Sequence, residues 1–222
     1  ESLSASEEDW ISSHFFWNWS VAMPIIEYGE KEISYLSERD KVLGNFIKEC
    51  GFIERETNSD VFAFLVRSIT AQQISNKAAA SVAARLEAKF PEVTPSALLS
   101  ASDDEIKSIG ISMRKVLYIR GLCEAVRDGK LVIDELRSAS DSEVEKKLIT
   151  IKGIGTWTAE MTLIFSLGRK DVVSFGDFAV RKGMMKLYGL ENLDRATFDE
   201  YRKRYSPYGT AASLYLWKAA VL

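Results

Sequence analysis

The sequence predicts an all-α protein, and three observations predict it. Apolar residues recur at helical spacing in one segment after another, as Phe62, Leu65, Val66 and Ile69 do. Serine, threonine or aspartate stands ahead of these segments, sometimes with glutamate three residues on, which is the signature of a helix start. No stretch alternates apolar and polar residues as a half-buried strand does. Val172-Val173 is the only strongly β-prone pair, and it is too short.

Taken in order, Ser4-x-x-Glu7 opens a helix over 4–19 that carries Trp10, Phe15, Phe16, Trp17 and Trp19. So many aromatics need the body of the protein or a partner to cover them. Residues 20–36, with Pro24 and Gly29, read as a connector. A helix follows from Leu36-Ser37 to about Cys50, with Val42, Leu43, Phe46 and Ile47 on one face. Asp60 caps a helix to Thr70. Gln72-Gln73-Ile74-Ser75 interrupts the pattern, and Ser75 caps an alanine-rich helix to Phe90. Thr94 caps a helix with Pro95 at its first position, and Ser102-x-x-Glu105 is a second capping box. Ile109-Gly110-Ile111 makes a glycine turn. Ser112 then opens a helix that carries Arg114, Lys115 and Arg120. Asp128-Gly129-Lys130 is a turn, and residues 140–150 form a helix capped by Ser140 or Asp141. Further helices are expected over 178–188, ending at Gly189, over 196–205, and from Ser206-Pro207 through Leu214, Leu216 and Trp217.

Ile149 to Gly183 organises the rest. Lys152-Gly153-Ile154-Gly155 forms a tight turn, and Thr156 is placed to cap an apolar helix to about Leu167. Backbone N–H groups at such a helix start suit a phosphate oxygen. From the turn alone, a glycine corner between two helices with no ligand is the commoner reading. Asp177 stands in a short loop after Gly176, where it either caps the helix that follows or serves as a catalytic carboxylate.

Composition narrows the chemistry. His14 is the only histidine, which disfavours zinc hydrolysis and histidine-dependent serine or cysteine hydrolysis. Two cysteines, Cys50 and Cys123, have no paired spacing and exclude a four-cysteine iron–sulfur loop. No apolar run reaches membrane-spanning length, and the acidic, polar N-terminus is unlike a signal peptide. The net charge of −3 is unevenly spread. Residues 146–186 hold eight bases against three acids, and residues 1–60 five bases against thirteen acids. A basic face against an acidic back suits a polyanion, although a solvated surface gives the same count.

A glycine hairpin, then Trp157-Thr-Ala on a helix, then a Gly176-Asp177-x-x-Val180 loop resembles the helix-hairpin-helix DNA glycosylase superfamily. The similarity is to the branch of the bacterial inducible 3-methyladenine glycosylase and its yeast relatives. It extends to Arg67–Ala79, Ile109–Lys115 and Leu214–Trp217, and so spans roughly residues 24–220. The resemblance implies two helical subdomains flanking a cleft, one of residues 57–177 and one built from 1–56 and 178–222. It implies that Lys152, Gly153, Gly155 and Thr156 meet the DNA backbone. Main-chain carbonyls of Ile149, Ile151 and Ile154 would hold a structural monovalent cation, sodium or potassium, with no other cofactor required. Asp177 would be catalytic. Trp157, Met161 and Trp217 would line the base pocket, with Met161 where the relative has an aromatic residue. Gln73 would be the wedge that fills the gap left by the extruded base, with Gln72 and Ile74 beside it. Many relatives use an apolar wedge there, and Lys152 stands where a proline is common.

Bifunctional members carry a nucleophilic lysine two residues after the second hairpin glycine. Here that residue is Trp157, so a monofunctional glycosylase for alkylated purines such as 3-methyladenine is expected. The alternatives are a glycosylase for 8-oxoguanine, hypoxanthine or uracil, and a helix-hairpin-helix DNA-binding module without catalysis. The expected partner is double-stranded DNA with damaged bases. The protein is expected to be a monomer, neither secreted nor membrane-bound, in the bacterial nucleoid or in a nucleus.

Overall fold

The structure, a computed structural model, describes residues 24–222. The aromatic helix expected over 4–19 lies outside the described residues. Among them are thirteen helices and no strand; the single β-bridge pairs Ile25 with Glu56. None of these helices is long and apolar enough to cross a membrane.

The described chain divides into two compact units, residues 24–57 with Leu163–Leu222, and Asn58–Thr162. The first break falls next to the expected one. The second falls in the last turn of a helix rather than after Asp177, so residues 163–177 go with the unit built from both ends.

That unit begins with α1 (Glu30–Arg39) and α2 (Lys41–Cys50). Two expectations are corrected here. Gly29 does not sit in a long connector; it precedes α1, and its N–H donates to Glu32 Oε2 at 2.9 Å. The helix expected from Leu36 to Cys50 is two helices, because Asp40 adopts an extended backbone and takes the N–H groups of Val42 and Leu43. The register changes accordingly: Leu43 and Ile47 are buried, and Val42 is exposed. The last three helices of the chain complete the unit. They are α11 (Phe178–Tyr188), α12 (Arg195–Tyr205) and α13 (Gly209–Val221). Helix α13 is apolar on all sides, buried almost throughout, and packs along α11. It starts at Gly209, two residues later than Pro207, where Asp171 accepts from Gly209 N–H and Ser206 Oγ. The segment before Asp177 is bound to α13 by Thr210 Oγ1, which donates to Arg169 O, and by Ser213 Oγ, which donates to Val172 O.

The other unit is built on α3 (Val61–Ala71) and α7 (Met113–Arg127). Asp60 caps α3 through Ala63 N–H. Ser75 caps α4 (Asn76–Lys89), and Thr94 caps α5 (Pro95–Ser100). Ser102 and Glu105 form a capping box on α6 (Asp103–Lys107), and Ser112 caps α7. Arg120 ties α7 to the carbonyls of Leu98 and Ala101 and to Asp103. A short α8 (Glu135–Ser138), not expected from the sequence, precedes α9 (Asp141–Ile149). Ser140, rather than Asp141, caps α9, in a box with Glu143. Helix α10 (Thr156–Phe165) follows the hairpin.

Candidate active site and nucleic-acid interface

The hairpin is built from short backbone steps. Ile151 N–H donates to Leu148 O, and Ile154 N–H to Ile151 O, both at 3.0 Å. Ala159 N–H donates to Gly155 O at 3.0 Å. That bond makes Gly155 the capping position and Thr156 the first helical residue, which corrects the assignment of Thr156 as the cap. Ile151 and Ile154 are buried and anchor the turn, while Lys152, Gly155 and Thr156 are exposed. An exposed helix start with the positive end of its dipole suits an anionic oxygen.

The two glycines serve different ends. Gly153 has φ +96°, and a Cβ there would lie 2.4 Å from the Tyr118 ring. A Cβ at Gly155 would meet no described atom within 4 Å. Packing therefore requires a bare backbone at Gly153 but not at Gly155, where close approach of an outside molecule is the remaining reason for one. Gly153→Ala is expected to distort the turn and lower the melting temperature. Gly155→Ala, which exchanges one cap residue for a poorer one, is expected to lower the melting temperature less than Gly153→Ala does and still to weaken DNA affinity. Thermal melts and DNA titrations of the two variants check this, and equal thermal losses would contradict it.

Two of the expected cation ligands, Ile149 and Ile151, have carbonyl lone pairs left over for a hard ion. Ile149 lies in the last turn of α9, where carbonyls lack helical partners and the helix dipole is negative. Ile151 O accepts one N–H and keeps a second lone pair. Among the described residues, no cluster of three or more His, Cys, Asp or Glu could hold a metal ion.

Gln72, Gln73 and Ile74 form the break between α3 and α4. Among the described residues, Gln73 is the one non-glycine residue with positive φ, at +56°. Its side chain is exposed, and its Oε1 accepts from Arg114 Nη2 at 3.1 Å. Gln72 Nε2 donates to Gly153 O at 2.7 Å, which ties this break to the hairpin. Lys115 is buried, and its Nζ donates to Thr70 O at 2.8 Å. Burial holds the Lys115 ammonium below the usual lysine range, and the Arg114 charge adds to this. The bonds of Arg114 and Lys115 each span more than forty residues, and no local pattern signals them.

In the other unit, Asp177 caps α11, where Oδ1 accepts from Ala179 N–H at 2.8 Å and Val180 N–H at 3.0 Å. Capping alone does not call for burial. The capping aspartates Asp60 and Asp194 are exposed, whereas Asp177 is 5% exposed. Asp40, also buried, pairs with Arg204. The loop ahead of Asp177 is steadied by Phe175, whose ring has the guanidinium groups of Arg181 and Arg195 over it. No local pattern around Phe175 signals that arrangement.

Trp217 is largely buried and stacks on Phe165, with centroids 5.7 Å apart and planes at 19°. The Arg55 guanidinium also lies over the Phe165 ring. On α10, Trp157, Met161 and Phe165 are spaced four apart and share one face. Trp157 is half-buried and Met161 fully buried.

Among the described residues, a helical fold with an exposed glycine hairpin and a buried, helix-capping carboxylate is consistent with a DNA-directed class. The chain belongs to a family described as the HhH-GPD superfamily of base excision DNA repair proteins, whose model matches residues 66–207. It is similar to DNA-3-methyladenine glycosylase 1 of Schizosaccharomyces pombe, at 31% identity over 82% of this chain and 80% of that protein. It is similar in structure to a DNA-3-methyladenine glycosidase from Bacillus halodurans, with a TM-score of 0.80, 40% identity and coverage of 89% and 93% of the two chains. The S. pombe 3-methyladenine DNA glycosylase solved with abasic DNA has a TM-score of 0.73 and 29% identity over 85% of this chain and 95% of that one.

Proposed function

We propose that this protein is a monofunctional DNA glycosylase of base excision repair. It extrudes alkylated purines such as 3-methyladenine from double-stranded DNA and hydrolyses their N-glycosidic bond. The observation that carries the reading is Asp177: a buried carboxylate at the start of α11, in a chain of this family.

A stacked base cannot be cut at its sugar, so extrusion comes first. The amides at Gly153, Gly155 and Thr156, with the Lys152 charge, grip the phosphate backbone. Sodium or potassium held by the Ile149, Ile151 and Ile154 carbonyls would supply a positive charge for a phosphate oxygen. Gln73 fills the space the base vacates. Trp157, Met161 and Trp217 receive the base, and electron-rich indole rings favour a cationic purine. An alkylated purine carries positive charge already, so it leaves as a neutral base with the bonding electrons and needs no acid. The C1′–N bond breaks, and positive charge develops on the sugar. The Asp177 carboxylate stabilises that charge and orients the water whose oxygen bonds to C1′. The water's proton passes to Asp177 or to solvent. Trp157 offers no amine for a Schiff base, so the product is an intact strand with an abasic site. The protein acts as a monomer within the cell's DNA compartment.

Defined lesion duplexes test this. The reading predicts release of the alkylated base and strand cleavage only after added alkali. Cleavage without alkali contradicts the role given to Trp157. Release only of 8-oxoguanine, hypoxanthine or uracil contradicts the substrate class.

A further inference from the structure

Three side chains fix the break between α3 and α4, and two of them come from one turn of α7. Lys115 holds Thr70 O at the end of α3, and Arg114 holds the Gln73 amide. Gln72 holds the hairpin through Gly153 O, and Tyr118, four residues after Arg114, packs against Gly153. Wedge loop, α7 and hairpin thus form one block within the Asn58–Thr162 unit.

The Arg114–Gln73 bond decides something more specific. A guanidinium donates hydrogen bonds and accepts none. Arg114 can therefore hold only the oxygen of the Gln73 amide, which turns the NH2 group away as a donor. The backbone supports the same presentation. Gln73 sits in the left-handed region, which is strained for a residue with a Cβ and commonly marks a functional position.

We infer that Arg114 is a positioning residue that orients the Gln73 amide to donate to the base left unpaired opposite the lesion. This rests on the glycosylase reading and on Gln73 as its wedge. A purine lesion faces thymine or cytosine, and both carry an O2 carbonyl acceptor. An NH2 donor serves either, so one wedge accommodates adenine-derived and guanine-derived lesions alike.

The experiment is single-turnover base release from methylated-purine duplexes that carry thymine, cytosine or an abasic site opposite the lesion. The readout is the rate with a base opposite divided by the rate with none. Arg114→Met is expected to lower this ratio about fivefold, the scale of one net hydrogen bond. Arg114→Lys, still a donor, restores it. Gln73→Glu keeps an acceptor for Arg114 but has no NH2, and is expected to lower the ratio about as far. Equal slowing on all three duplexes, as loss of a phosphate contact would give, overturns the inference, as does a Gln73→Glu ratio equal to that of the unaltered protein. No release by the unaltered protein from any duplex overturns the glycosylase reading itself, and this inference with it.

Discussion

Asp177→Asn is expected to lower base release by about 100-fold or more, the scale seen when a group that stabilises transition-state charge is removed. The fold and DNA affinity are expected to persist. The substitution separates the two roles of Asp177. Its Oδ1 caps α11 through two backbone N–H groups, and asparagine caps a helix about as well as aspartate. The cap survives, so lost activity reports on charge at the reacting sugar. Asp177→Ala is the poorer test, because losing the cap alone costs about 1 kcal/mol. Thermal melting, DNA binding and single-turnover release on Asp177→Asn check the prediction together. Full activity in the variant would contradict the catalytic role of Asp177.

Gly183→Ala is expected to be the most damaging small change to the scaffold. Helix α11 crosses α13 so closely that a Cβ at Gly183 would lie 1.8 Å from Leu216 O, with Ala220 N at 3.2 Å. Both are backbone atoms, so no rotamer change relieves the clash and the helices must separate. Overpacking of this kind costs about 3 kcal/mol. Alanine recovers about 1 kcal/mol in helix propensity, which leaves a net loss of about 2 kcal/mol. For a chain of this length that is a fall in melting temperature of roughly 4–8 °C. Asp177 opens the same helix, so base release falls as well. A calorimetric melt checks this, and an unchanged melting temperature would contradict the close packing of α11 on α13.

Much of the scaffold was legible because helix starts are written locally. Asp60, Ser75, Thr94, Ser102, Ser112 and Ser140 each cap the helix expected of them. The hairpin and Asp177 were legible for the same reason: turn glycines and a cap sit within a few residues of what they shape. Asp40 was misread because the apolar spacing ran on across it, and only its extended backbone shows the break. The bonds that tie Gln72 to Gly153 and Gln73 to Arg114 span 81 and 41 residues. No local pattern announces a bond of that kind. The allegiance of residues 163–177 was likewise invisible, since it rests on Thr210 and Ser213 reaching back from α13.

The most direct test of the whole account is to incubate the protein with methylated DNA and identify the freed bases by chromatography. The account predicts free 3-methyladenine from the unaltered protein and almost none from Asp177→Asn at equal DNA occupancy. No alkylated base above the protein-free control, with DNA demonstrably bound, would contradict it.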